Sequence, residues 1–267
     1  MKLKILSLAK TEKGSKELPR QFDEEIRPDL IYRAVVSILS GRRQRYGADP
    51  RAGKKYSSEV YKRRRGFKGS YGIGISRVPR KVMSKQGSHF NWTGAFAPGT
   101  VGGRQAHPPK AEKIWEMKIN DKERKKAIRS ALAATVEKKA VEKRGHNVPP
   151  IYPFIIESKI EATEKTKELK SILEKFGLAE ELERVSKKII RAGKGKTRGR
   201  KYKKSRGILI VVSGDCKLLK LKNIPGVEIT EVKKLDTEIL APGTAPGRLT
   251  IFTDKAIETM ETEKLFL

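Results

Sequence analysis

Hydrophobic positions recur along the chain with two alternating periods, which predicts strands followed by helices. Lys2 to Ser7 alternates as a strand, with Leu3 and Ile5 facing one side and Lys2 and Lys4 the other. From Pro28 to Gly41, Leu30, Ile31, Ala34, Val35 and Ile38 form one helical face; Pro28 and Asp29 suit the first turn and Gly41 the end. Asp121 is placed to cap a long helix carrying Ile128, Leu132 and Val136, which stops near Gly145. A strand is expected at Phe154 to Ile156. Leu169, Ile172, Leu173 and Phe176 then mark a helix ended by Gly177, and Leu178, Leu182, Val185 and Ile189 mark another. The unbroken apolar run Ile208 to Val212 reads as a central strand buried on both faces. Val227 to Ile229 and Leu249 to Phe252 read as later strands, and Asp254 opens a terminal helix. Alternation of this kind predicts an α/β fold, with a parallel or mixed sheet between two helix layers.

Between Gly41 and Lys110 the periodicity disappears. These residues hold 17 Lys and Arg against two acids, Asp49 and Glu59, with 12 glycines, eight aromatics and no leucine. A segment so poor in aliphatics has no core of its own and is expected to order on a partner. The flanking pieces, up to about Gly41 and from about Ala111 onward, each have too few strands to fold alone. They are expected to make one discontinuous α/β domain around the insertion. A second basic stretch, Gly193 to Gly207 (GKGKTRGRKYKKSRG), carries eight Lys and Arg and no acid.

The whole chain of 267 residues has a formal net charge of +30, which calls for a polyanionic partner. RNA meets the demand in detail. Lys62, Arg63, Arg64, Arg65 and Lys68 offer charge to phosphates, Tyr61, Phe67 and Tyr71 offer faces to unstacked bases, and Gly66, Gly69, Gly72 and Gly74 let the backbone approach closely. A lone Cys216 excludes a disulfide framework and any multi-cysteine zinc site, and His89, His107 and His146 lack ligand spacing, so no metal and no cofactor is expected. No apolar run reaches the roughly 20 residues of a membrane span, and the N-terminus lacks the unbroken core of a signal peptide. An intracellular protein with no membrane partner is expected. Gly195, Lys196 and Thr197 imitate the end of a phosphate-binding loop, but Ile190 stands where that pattern needs glycine. Ser213, Gly214 and Asp215, after the apolar strand, occupy the place where open α/β sheets bind ligands, although small polar residues there commonly form only a turn.

Three strings, SRVPRK (Ser76 to Lys81), GSHFNWTGAFAPGTVGGRQAHPPK (Gly87 to Lys110) and RAGKGKTRGRKYKKSRGILIVV (Arg191 to Val212), closely resemble the large-subunit ribosomal protein L4 family in its archaeal and eukaryotic form. The resemblance implies a three-layer α/β/α body with a mainly parallel sheet, formed by residues 1–46 and 105–267. It also implies an extended rRNA-binding loop at 47–104 and a basic surface segment at 193–207. The implied function is that of a non-enzymatic constituent of the large ribosomal subunit in the cytoplasm. Its partners would be large-subunit (23S-type) rRNA, neighbouring ribosomal proteins and the nascent polypeptide in the exit tunnel, without homo-oligomerisation. Carried onto this chain, the phosphate contacts fall first on Arg63, Arg64, Arg65, Lys68, Arg77 and Arg80, joined by Arg51, Lys54, Lys55, Lys62, Lys81, Lys85 and Arg104. Trp92, Phe90 and Phe96 either stack on bases or pack the loop base. Lys194, Lys196, Arg198, Arg200, Lys201, Lys203 and Lys204 form a second RNA surface, and Arg65, Phe67, Lys68 and Tyr71 the tunnel tip. Ile73 departs from the family, which often carries arginine between these two glycines. An alternative from another class is an RNA-modifying enzyme with a dinucleotide-like fold and a basic RNA-guiding insertion.

Overall fold

In chain order the elements of the computed structural model, which describes all residues from Met1 to Leu267, are β1 (Lys2–Leu6), β2 (Glu12–Glu17), α1 (Pro28–Gly41), β3 (Arg80–Gln86), β4 (His89–Gly94), α2 (Asp121–Val136), α3 (Lys138–Lys143), β5 (Ile155–Ile156), α4 (Thr166–Lys175), α5 (Ala179–Ser186), β6 (Lys188–Ile190), β7 (Tyr202–Lys204), β8 (Leu209–Val212), β9 (Glu228–Glu231), α6 (Thr237–Leu240), β10 (Thr250–Thr253) and α7 (Asp254–Thr262). Two compact units result: Met1–Arg42 with Glu116–Leu267, and Arg43–Trp115.

The first unit, the body, is built on a six-stranded sheet in the order β2-β1-β5-β10-β8-β9. All neighbours pair in parallel except β1 and β2. Every residue of β8 and β10 is buried, as a strand covered on both faces requires. Strand alternation sends Ile156, Ile210, Val212, Ile229 and Ile251 to one face, under Val141 of α3, Leu169 and Leu173 of α4 and Leu182 of α5. It sends Ile155, Leu209, Val211 and Phe252 to the other face, under Ile31 and Val35 of α1, Ile128 and Leu132 of α2 and Ile257 of α7. Three layers, α/β/α, follow from that alternation.

Several local expectations are corrected. The long helix breaks at Glu137, whose ψ of 107° is extended, before α3 resumes. Asp121 is the first helical residue and not the cap, a position held by Asn120. Asp254 opens α7 as expected, after the cap Thr253, whose side chain accepts from the Ala256 N–H at 3.2 Å. Ile189 continues the spacing of α5 but lies in strand β6 and is 62% exposed. Strand β2 was not expected, because EKGSKE has no apolar alternation; it is an edge strand studded with lysine.

The second unit is not structureless. β3 and β4 form an antiparallel hairpin joined by Gly87 and Ser88, with Gln86 opposite His89. Gly87 has φ +58°, as a two-residue hairpin turn starting with glycine requires. The two arms leading to it run side by side, with the Ala48 N–H donating to the Pro109 carbonyl at 2.9 Å. A Cβ at Gly47 would meet the Ala111 nitrogen at 2.5 Å, so only glycine fits there. Only Ser70 and Ala95 are buried in this unit, in line with the absence of a hydrophobic core.

Candidate nucleic-acid interface

In the second unit the aromatic rings are occupied by the chain's own cations. Arg77 lies 4.6 Å from the Tyr71 ring, Arg80 5.5 Å from Trp92, Lys81 4.0 Å from Tyr56 and Arg104 5.9 Å from Phe96. Lys68 and Lys85 stand 5.2 and 5.7 Å from Phe90, and Phe67 meets Phe90 edge to face at 5.1 Å. With few carboxylates available, ring quadrupoles take their place. Near the arm ends, Trp115 carries Arg43 at 4.1 Å and Lys113 at 4.4 Å, with Tyr46 stacked on it at 5.2 Å.

Of the cations assigned to RNA by the sequence, only Lys55 pairs with a carboxylate, Asp49 at 2.9 Å. That contact holds the Asp49 carboxyl below its usual range, the Lys55 hydrogen bond contributing most. Lys54 and Arg51 share the turn after Asp49, with the Arg51 N–H donating to its carboxylate at 2.9 Å. Lys62, Arg63, Arg64 and Arg65 are exposed and make no ion pair. The Gly69 N–H closes a tight turn on the Gly66 carbonyl at 3.1 Å, and Arg65 and Lys68 adopt positive φ of 55° and 59° around it. Phe67 and Lys68 are its central residues, and Tyr71 follows it. Phe67 is 64% exposed, and its contact with Phe90 brings the turn beside the tip of the β3–β4 hairpin.

The second basic segment is also a hairpin, β6 against β7, with every residue exposed. Lys188 faces Lys204 and Ile189 faces Lys203 across it. Like charges directly opposite repel in an isolated ladder, and a polyanion alongside reverses the sign. Lys194, Lys196, Arg198, Arg200 and Lys201 lie in the connection, which turns at Gly193 and Gly199, both at positive φ. None of these cations pairs with a carboxylate.

Two arginines of the body, the half-buried Arg184 and the buried Arg248, hold the end of this segment. Arg184 Nη2 donates to the Arg206 carbonyl at 3.0 Å, and Nε of Arg248, 1% exposed, donates to the Gly207 carbonyl at 3.0 Å. Arg184 also binds the fully buried Glu181 with Nε and Nη2 at 2.7 and 2.6 Å. His146 Nδ1 at 2.7 Å and the Asn147 N–H at 3.1 Å complete that carboxylate's shell. Burial opposes the charge on Glu181, but the bonds from Arg184, His146 and Asn147 outweigh it and hold the carboxyl below its usual range. Burial drives Arg144 down to about 10, with Arg248 and Arg184 adding repulsion. These anchoring residues lie far apart in sequence, so no local pattern could reveal them.

The crevice beyond the sheet is filled from within. Glu161 accepts from the Ser213 N–H at 3.0 Å, the Ser213 hydroxyl at 2.9 Å and the Thr253 hydroxyl at 2.7 Å. A carboxylate of the chain thus takes the donors that an anionic ligand would use after β8 and β10.

Unpaired cations in two basic segments, together with a sheet whose ligand crevice is closed by the chain's own side chain, mark a nucleic-acid-binding α/β protein. The model of the ribosomal protein L4/L1 family matches residues 16–263. The large ribosomal subunit protein uL4 of Nanoarchaeum equitans is 48% identical over 268 residues, spanning 100% of both chains. That of Methanosphaera stadtmanae is 43% identical, covering 97% of this chain and 96% of its own, and that of Archaeoglobus fulgidus 41%, covering 97% of each. The chain belongs to the ribosomal protein L4/L1 family, whose members are structural and not enzymatic, and the alternative of an RNA-modifying enzyme finds no support.

Proposed function

We infer that the chain is a structural constituent of the large ribosomal subunit in the cytoplasm, fastening large-subunit rRNA with two basic arms. The observation that carries this reading is the array of cations from Lys62 to Arg65 that face solvent without carboxylate partners. Phosphates satisfy such cations, and binding releases their counterions. Residues 47–104 make the main rRNA contact and 193–207 the second, while the body meets neighbouring ribosomal proteins. The turn Arg65 to Tyr71 carries exposed charge and an exposed Phe67, which suits a wall of the nascent-polypeptide exit tunnel. The chain works there as a single copy.

Sedimentation after a high-salt wash tests the assembly. The chain is expected to remain with large subunits at salt concentrations that strip loosely attached proteins. Recovery of the whole population at the top of the gradient would overturn the reading.

A further inference from the structure

Among the 17 cations between Gly41 and Lys110 stand two acids, and only one of them is neutralised. Asp49 is paired with Lys55, whereas Glu59 forms no ion pair despite the surplus of positive charge around it and is met only by the Tyr61 hydroxyl, which donates to it. Glu59 instead lines a cavity of about 430 Å³ with Ser57, Ser58, Tyr61, Lys68, Arg80, Val82 and Trp92. That volume falls within the roughly 300–1,000 Å³ of small-molecule sites. Glu59 bridges Arg80 in antiparallel register, which turns both side chains to the same side of the backbone. Ser58 Oγ is buried with no hydrogen-bond partner, although a buried hydroxyl ordinarily has one.

We propose that this cavity binds one unpaired guanine base of the rRNA, an inference that rests on the RNA-binding reading above and names the ligand of one part of that interface. An aromatic wall, a carboxylate, a free hydroxyl and flanking cations are the groups needed to read an extruded nucleotide. Trp92 and Tyr61 carry Arg80 at 5.5 Å and Lys68 at 5.9 Å in the free protein, and a stacked base takes the place of these cations on the rings, for a sequence-tolerant share of the affinity. Lys68 and Arg80 meet the adjoining phosphates. The Glu59 carboxylate only accepts hydrogen bonds, so it needs two adjacent donors to be engaged by both oxygens. Guanine presents N1–H and N2–H₂ side by side. Adenine and cytosine each present a single amino group beside a ring acceptor, and uracil sets its N3–H between two carbonyls that would face the carboxylate. The Ser58 hydroxyl then has guanine O6 to donate to, which completes the Watson–Crick edge.

The experiment uses the full chain and four RNA hairpins that share one duplex stem: fully paired, or interrupted by a single bulged guanosine, inosine or adenosine. Trp92 emission is read in a Trp115→Phe background. The guanosine bulge is expected to bind about tenfold more tightly than the adenosine bulge, with inosine between them, and to quench Trp92. Glu59→Gln is expected to erase the guanosine preference or turn it toward adenosine, because an amide matches the adenine edge. Trp92→Leu is expected to weaken binding of every bulged hairpin while leaving the paired one unchanged. Equal affinity for all bulges, or a guanosine preference that survives Glu59→Gln, would overturn the proposal while salt-sensitive binding of the paired hairpin kept the RNA reading intact. Failure to bind any of the four RNAs at low salt would overturn both.

Discussion

The body and the unit Arg43–Trp115 use the same residue types in opposite ways. In the body outside the β6–β7 arm, cations are spent internally: Lys16 pairs with Glu258 at 2.7 Å, Arg129 with Glu24 at 2.9 Å and Lys13 with Glu157 at 2.7 Å. Arg248 is buried to hold two backbone carbonyls and Glu228. In the second unit, arginines and lysines lie on aromatic rings or in solvent, and only Ser70 and Ala95 are buried. Exposed cation–π contacts supply only about 0.5–1 kcal/mol each, far less than the burial of aliphatic side chains in the body. On the proposed reading, the body is expected to be stable by itself and the second unit to gain its stability from RNA.

Hydrogen exchange gives that contrast its largest readout. Without RNA, amides of β8 and β10 should be protected more than those of β3 and β4 by about a thousandfold or more, since the former open only on global unfolding. Binding of an rRNA fragment should raise protection in β3 and β4 selectively. Equal protection in the free protein would remove the distinction between the units.

A smaller but still large effect is expected at the anchor of the second arm. Glu181→Ala leaves the buried His146 and the half-buried Arg184 without their carboxylate and should cost the body about 2–3 kcal/mol in denaturant unfolding. The folded carboxyl lies below its ordinary 4.5, so its contribution is complete above that pH and fades as pH falls through the lower folded value. The wild type should lose stability in that acid range more steeply than the variant. Glu161→Gln loses charge at the crevice while keeping its shape, and about 1.5–3 kcal/mol is expected from hydrogen bonds to a charged group. A change smaller than about 0.5 kcal/mol would mean that Glu161 does not close the crevice in solution.

The turn in the second unit should show the smallest stability effect. Arg65 and Lys68 sit at positive φ, where asparagine is tolerated. Arg65→Asn with Lys68→Asn should leave the melting of the body within about 0.5 kcal/mol and assembly largely intact. Ribosome profiling should nonetheless show altered pausing at strongly charged nascent segments. Normal pausing with failed assembly would assign these side chains to RNA and not to the tunnel.

The body was largely legible in the sequence, because burial on one face leaves a period that can be read. Helix α1 runs from Pro28 to Gly41 as its apolar face and end residues indicate, and the run ILIVV marks an inner strand. Legibility failed where burial does not dictate the pattern. β2 is exposed along nearly all its length, β6 and β7 are exposed entirely, and Ile189 continued a helical period into a strand with no core to correct it. In β4 the residues His89 to Thr93 alternate polar with aromatic and Gly87 and Ser88 mark the turn, a signal that the basic composition around it obscured, whereas β3 has no such rhythm. The site was legible as composition, in its surplus of unpaired charge. Its geometry was not, since the anchors at Glu181, Arg184 and Arg248 and the cavity around Glu59 join distant positions.

The most direct test of the central claim, that the second unit's free cations serve RNA phosphates, is the salt dependence of rRNA-fragment binding. The full chain is to be compared with a variant in which Arg51 to Arg104 is replaced by a short glycine-serine linker. With roughly ten phosphates neutralised, the logarithmic slope of affinity against salt should be about −7 for single-stranded contacts and about −9 for duplex ones. The linker variant should keep the cooperative melting of the body and retain only the shallower slope of the 193–207 arm. An unchanged slope in the variant, or a slope near zero in the full chain, would contradict the account.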